Sequence, residues 1–192
     1  MNTKYPQIKR ILDILFSLFA IVILSPVFLI VIILIKIFDP GSIIFKQERV
    51  AQNEKIFLIY KFRTMIENAD KIGSVLTQEK DPRITKLGSF LRKTSIDEFP
   101  QFFNILKGEM SLIGPRPEVP SIVKTYTDEH RKIFQVKPGI TGWAQIHGRD
   151  DLTIEEKSVY DLEYVNKISF FLDMKIFFLT FPVLLFGKGI KY

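Results

Sequence analysis

The sequence predicts an α+β fold, mostly helical, built on an N-terminal membrane helix with a small β-hairpin. Three observations predict it. The 22 residues from Ile14 to Ile35 carry no charge, the length of a bilayer-crossing helix. Phe99, Phe102, Phe103 and Leu106 recur at i, i+3, i+4, i+7, which is helical spacing. Two short runs rich in β-branched and aromatic residues, Ser42 to Lys46 and Lys55 to Phe62, flank the polar Gln52-Asn53-Glu54, which reads as a hairpin.

Pro26 stands at the middle of the apolar N-terminal run, preceded by Ser25. Proline removes a backbone donor and crowds the preceding turn, so a break is expected there. The Ser25 hydroxyl can serve a carbonyl the break frees, which matters in hydrocarbon. Lys4, Lys9 and Arg10 precede the run; Lys36, Lys46, Arg49, Lys55, Lys61 and Arg63 follow it. Since cytoplasmic flanks carry the excess of Lys and Arg, this suits a re-entrant helix that dips in, turns at Ser25-Pro26 and leaves by the side it entered. A kinked spanning helix with its N-terminus outside fits the same residues. The run is too long for a signal peptide and lacks a small-residue cleavage site.

The sequence divides into a membrane helix over residues 1–38 and a more polar region over 39–192, forming one functional unit. Lys86 to Lys93 predicts a short helix through Leu87, Phe90 and Leu91. The Phe99–Leu106 helix should stop at Gly108. Its wheel clusters Asp97, Gln101 and Asn104 opposite the apolar side, so Asp97 should face away from the core, toward solvent or a cleft. Gly114-Pro115-Arg116-Pro117 and Lys137-Pro138-Gly139-Ile140-Thr141-Gly142-Trp143 read as ordered loops. Ile168 to Phe186 is apolar but interrupted by Asp173 and Lys175, which predicts an amphipathic helix along the membrane interface; a buried core helix is the alternative.

With 192 residues there is room for one domain. Hydrophobic residues make up 47% and Phe holds 18 positions, which favours membrane contact. The net charge of +6 and pI near 9.4 point to anionic partners. The charge flanks apolar segments rather than a lone basic helix, which speaks against nucleic acid. The absence of cysteine excludes disulfides, thiolate metal sites and a Cys nucleophile.

Asp97 and Glu98 are adjacent carboxylates at a helix start, and they read in two ways. Ser95-Ile96-Asp97-Glu98 has the spacing of a capping box, Ser95 as N-cap and Glu98 at N3. Alternatively Asp97 is a nucleophile or, with Glu98, a metal ligand. Lys61, Arg63, Arg92, Arg116, Lys137 and Arg149 lie in or beside the same loops and helix starts, and Arg offers a planar fork to phosphate oxygens. Together they are candidates for binding a diphosphate. There is no P-loop or dinucleotide glycine pattern. His130 and His147 have no metal-ligand spacing. Trp143 suits base stacking, an interfacial seat or packing, and Asp161 and Asp173 suit ion pairs or ligand binding.

The ordered motifs Phe45-Lys46-Gln47-Glu48-Arg49, Tyr60 to Met65, Asp81-Pro82-Arg83-Ile84-Thr85, Leu91-Arg92, Ser95 to Glu98, Asn104 to Leu112, Gly114 to Pro117 and Pro138 to Gln145 closely resemble the bacterial sugar transferase family. These are the small monotopic polyprenyl-phosphate phosphoglycosyl transferases, and the likeness runs from Tyr5 to Gly187. The resemblance implies a re-entrant helix broken at Ser25-Pro26 and a monotopic seat on the cytoplasmic face of a bacterial inner membrane. It implies Asp97 as nucleophile, Glu98 as its dyad partner and magnesium as cofactor. The implied donor is a UDP-sugar and the implied acceptor undecaprenyl phosphate. The chain resembles the minimal form, without the extra membrane helices of larger relatives. It departs from the family pattern at Ala51 (usually Gly), Phe99 and Phe103 (commonly Leu), His147 (commonly Asn) and Glu163 (commonly Tyr). Ala51 puts a tight hairpin turn in question, and His147 bears on sugar or nucleotide choice. Two other classes remain open: a non-catalytic adaptor for anionic lipid, and a membrane-anchored nucleotide-sugar hydrolase.

Overall fold

The structure, a computed structural model, describes residues 5–69, 72, 81–148 and 151–186. Helix α1 (Tyr5–Phe38) takes in the whole apolar run and is the one helix among the described residues long and apolar enough to cross a bilayer. The expected break is not a loss of helix, because the backbone stays helical through Ser25 and Pro26. Pro26 offers no N–H to the carbonyl four residues back, that of Val22. The Ser25 hydroxyl donates to that same carbonyl at 2.8 Å, so one missing ladder bond is replaced within the turn.

Both halves of α1 rest on one folded body. Phe16, Ala20, Ile21 and Leu24, before the proline, pack with Phe57, Ile59, Phe102, Ile105 and Met110. Val27, Phe28, Val31 and Ile35, after it, pack with Phe62, Leu91, Ile96 and Phe99. The outer side leaves Leu15, Phe19, Val22, Ile23, Leu29, Ile30, Ile33 and Ile37 exposed.

Strands β1 (Ile44–Val50) and β2 (Ile56–Phe62) pair antiparallel from Ile44↔Phe62 to Val50↔Ile56. The first strand begins later and ends later than its composition suggests. Lys46 to Arg49 have no apolar alternation of their own, and the β2 ladder holds them extended. The turn accommodates Ala51, which is extended (φ −104°) and donates its N–H to the Lys55 carbonyl at 2.7 Å. The left-handed positions are Asn53 and Glu54. Alanine therefore costs the turn nothing, and the doubt raised at Ala51 is removed.

Helix α2 (Lys86–Lys93) starts on Thr85, whose hydroxyl accepts from the Gly88 N–H. The capping box predicted at Ser95 does not form: Ser95 is itself left-handed (φ 55°) and makes no side-chain cap. Ile96–Glu98 is a single 3₁₀ turn, and α3 (Gln101–Lys107) begins after Pro100. Gly108 ends α3 at φ 85°, a conformation glycine adopts without strain. The polar side of α3 is turned inward. Gln101 and Asn104 are buried, and Asn104 binds the edge of β2, accepting from Tyr60 N and donating to the Leu58 carbonyl.

The two Pro/Gly-rich loops contain a short parallel pair, β3 (Ser111–Ile113) with β4 (Gly139–Thr141). Gly142 lies so close that a Cβ on it would collide with the Gly114 carbonyl oxygen. Two one-turn helices, α4 (Pro120–Val123) and α5 (Asp128–Arg131), lead across to β4. A capping box does exist elsewhere, between Thr153 and Glu156 at the start of α7 (Ile154–Lys167). Between β4 and α7, α6 (Trp143–His147) packs its Trp143 indole against His147 and donates its N–H to Glu163. Trp143 is therefore a packing residue here. Helix α8 (Phe170–Phe186) buries Asp173 and Ile176 and exposes Phe171, Phe178 and Phe181. Asp173 is the structural ion pair of Lys9, at 2.6 Å, with the Tyr5 and Tyr164 hydroxyls on the same carboxylate.

Candidate active site

The site gathers where β1, β2, the 3₁₀ turn before α3 and the loop after β3 meet. Glu98 is buried, yet its Oε1 holds two cations: Lys61 Nζ from β2 at 2.8 Å and Arg116 Nη2 from the β3 loop at 3.1 Å. The prolines on either side of Arg116 constrain its backbone, and the carbonyl of Pro117 accepts from Arg49 Nη1 at 2.9 Å. Asp97, one residue before Glu98, is also buried and lies close enough to Lys61 to raise its pKa. Burial nevertheless dominates and pushes the Lys61 ammonium below the ordinary lysine value; Glu98 and Asp97 oppose that shift and Arg116 adds to it. The same balance acts on Arg49, brought down to about 10 by burial and Arg116 against Glu118 and Glu98.

Arg49, Lys61, Arg116 and Gln101 line one small cavity with Ile59 and Pro117. Its polar lining is rich in donors. Gln101 Nε2 and Arg49 Nε are buried and have no hydrogen-bond partner among the described residues. Orphaned buried donors are costly, and donors grouped with cations suit an anion. Arg49 and Gln101 were not singled out as site residues from sequence: the first stands among the flanking cations and in the Phe45–Arg49 motif, the second on the polar side of the predicted helix. A period-two reading of β1 that pairs Gln47 with Arg49 was the available signal, and the two side chains do meet at 2.7 Å.

Of the cations singled out from sequence, Lys61 and Arg116 come together on Glu98. Arg92 is held on Thr64, its Nε 2.8 Å from the hydroxyl. Arg63 is not brought to Glu98; its guanidinium joins Glu67 and the Asp39 carbonyl at the exit of α1. Lys137 lies at the other end of α3, near Gly108 and Arg10. Arg149 falls outside the described residues.

The arrangement groups donors and cations beside two carboxylates, a chemistry suited to phosphate oxygens. A family model described as "Bacterial sugar transferase" matches residues 4–187. The chain belongs to that family. Its relatives agree. The transferase is 42% identical to a protein named as uncharacterized sugar transferase EpsL of Bacillus subtilis, over 96% of this chain and 90% of that one. It is 44% identical to the UDP-N-acetylgalactosamine-undecaprenyl-phosphate N-acetylgalactosaminephosphotransferase of Aeromonas hydrophila, over 97% of this chain but 46% of that one. The UDP-glucose:undecaprenyl-phosphate glucose-1-phosphate transferase of Escherichia coli is 42% identical, covering 90% of this chain and 39% of its own length. The transferase thus spans nearly all of EpsL but less than half of the two named phosphotransferases. It is a phosphoglycosyl transferase by family.

Proposed function

We propose that the transferase moves a sugar 1-phosphate from a UDP-sugar to undecaprenyl phosphate by a two-step exchange through Asp97. The observation that carries this reading is the donor-rich cavity of Arg49, Lys61, Gln101 and Arg116 beside the Asp97-Glu98 pair. In the first step an Asp97 carboxylate oxygen attacks the sugar-bearing phosphorus. A phosphorus–oxygen bond forms to Asp97 as the bond to UMP breaks, and UMP takes the electron pair. In the second step an oxygen of the lipid phosphate attacks the same phosphorus, the aspartyl bond breaks, and polyprenyl diphosphate sugar leaves with Asp97 restored. Lys61, Arg49 and Arg116 neutralise the diphosphate and the charge of the transferring group. Glu98 fixes Lys61 and Arg116 at their spacing. Arg92, anchored on Thr64, is a further phosphate contact.

Asp97 and Glu98 offer the hard oxygens magnesium prefers, and no group of three or more ligating side chains converges among the described residues. Such a pair fits an ion that takes its remaining ligands from substrate phosphate and water. Bound there, magnesium would supply charge stabilisation to the diphosphate.

The reading includes a re-entrant, monotopic seat on the cytoplasmic face of the membrane. Support comes from α1, a helix of 34 residues that rests on one folded body at both ends. Arg10 and Asp13 in its early turns and Ile35 in its last turn all touch the same body. A helix crossing the bilayer would carry one of those ends away from it. The exposed Phe171, Phe178 and Phe181 of α8 suit the interface.

The test uses donor labelled in the sugar-linked phosphate. With acceptor omitted, wild type should retain covalent label; Asp97→Asn should retain none and lose transfer while still partitioning into membrane. Near-normal turnover in Asp97→Asn would falsify the nucleophile assignment. A lipid adaptor would release no UMP, and a hydrolase would release sugar phosphate without lipid.

A further inference from the structure

The early turns of α1 grip the two elements that carry the site, at points remote from the site. Arg10 donates to the carbonyls of Ile105 (2.5 Å) and Leu106 (2.9 Å) in the last turn of α3. Helix α3 is the element that follows Asp97-Glu98. One turn later on α1, Asp13 is 3% exposed and its Oδ1 accepts from the Leu112 N–H of β3 at 3.0 Å. Strand β3 runs directly into Gly114-Pro115-Arg116. Residues i and i+3 share a helix face, so one face of α1 ties both elements.

The rest of β3 is held from the same helix at one remove. The Tyr164 hydroxyl lies 3.2 Å from the Ile113 carbonyl and 2.8 Å from Asp173, whose carboxylate carries Lys9 and Tyr5 of α1. Glu98–Arg116, at 3.1 Å, is where the two suspended elements meet. Burying a carboxylate to hold a helix in place is expensive when apolar contact would serve. What Asp13 supplies that an apolar residue lacks is an acceptor for one particular backbone donor. Lys137 joins this cluster, its ammonium near Arg10 and Asp13.

We propose that Arg10 and Asp13 of the membrane helix are positioning residues for the transfer reaction, setting the approach of Arg116 to the Asp97-Glu98 pair through β3 and α3. This rests on the reaction proposed above. The N-terminal basic residue Arg10 is then a strut of the catalytic body rather than a headgroup contact. Seating α1 in lipid and aligning the site become one event.

The test compares Asp13→Ala, Asp13→Asn and Arg10→Ala in the full chain, with turnover normalised to membrane-inserted protein. Asp13→Ala should lower kcat by about 10²-fold, the scale of an ångström-sized misplacement, with both KM values within about threefold. Asp13→Asn keeps an acceptor oxygen and should restore most of the rate. Arg10→Ala should lower kcat in the same manner. In an Arg116→Ala background Asp13→Ala should cost little more, because it acts through Arg116. Hydrogen exchange over residues 111–118 should quicken in Asp13→Ala and not in Asp13→Asn. Full additivity with Arg116→Ala, wild-type turnover in Asp13→Ala, or unchanged exchange over that segment overturns the positioning role. Absence of lipid-dependent UMP release from wild type overturns the reaction instead, and the exchange result still decides the coupling.

Discussion

Lys61 Nζ lies 2.8 Å from Glu98 Oε1, joining the second strand of the hairpin to the turn that precedes α3. The ammonium is part-buried and its pKa lies below the ordinary lysine value. Only its charged form attracts phosphate, so donor binding should weaken as pH rises toward and through that lowered pKa. A profile of kcat/KM against pH should show an alkaline limb below the usual lysine range. Lys61→Arg, charged throughout, should lose that limb; if the limb stays, another group causes it.

Arg116 meets Glu98 through a planar guanidinium, whose forked donors an ammonium cannot copy and which suit phosphate oxygens. Arg116→Lys should therefore reduce kcat/KM by about tenfold or more, equivalent to roughly 1.4 kcal/mol or more. Steady-state kinetics with saturating lipid phosphate decide it, and a change of less than about twofold counts against a phosphate role.

Asp161 gives a stability prediction. Burial raises its carboxyl pKa to about 8, Glu118 adds to the rise and Lys157 opposes it. Between about pH 4 and 8 the folded chain keeps a proton that the unfolded chain has released, so stability falls as pH rises through that window. The apparent Tm in detergent should decline from about pH 5 to about pH 8.5, and Asp161→Asn should flatten the decline. An equal decline in both proteins would reject the assignment.

Gly142→Ala should destabilise by about 1–3 kcal/mol or more, since the new methyl meets backbone rather than a movable side chain. The collision is with the Gly114 carbonyl, two residues before Arg116. Transfer should fall along with Tm. Both quantities at wild-type level would show that the loops can separate without consequence.

The chain contains no cysteine, which permits a direct topology test. Gln7 and Lys93 are exposed, one at the start of α1 and one at the end of α2. Single Gln7→Cys and Lys93→Cys variants should both react with an impermeant maleimide in inside-out vesicles and both be protected in right-side-out vesicles. Opposite labelling of the two sites would establish a spanning helix.

Local patterns made part of this fold readable. Lys86 to Lys93 is a helix with the expected bounds, and Gly108 ends the next one, because helical periodicity and a left-handed terminus are properties of neighbouring residues. Ser95 misled for the same reason: S-x-x-E spacing describes a cap only if Ser95 is extended, and here it is left-handed. The β3–β4 pair was invisible because three-residue strands have no period and their pairing is non-local. At the site, Asp97, Glu98, Lys61 and Arg116 were legible as charges near constrained backbone. Arg49 and Gln101 were not, since their roles depend on burial in a cavity that four separate segments enclose. Arg63 and Lys137 carried the right charge, but Glu67 and Arg10, respectively, lie beside them.

The Ser25 hydroxyl on the Val22 carbonyl makes the two residues of that dipeptide unequal in evolution. From Ser-Pro toward Ala-Ala, changing the proline first restores an ordinary N–H donor, and every main-chain acceptor stays served throughout. Changing the serine first leaves a naked oxygen amid exposed aliphatic side chains, a costly state wherever lipid excludes water. Drift away from this motif therefore has a preferred order, proline before serine, and the reverse intermediate is the one natural sequences should avoid.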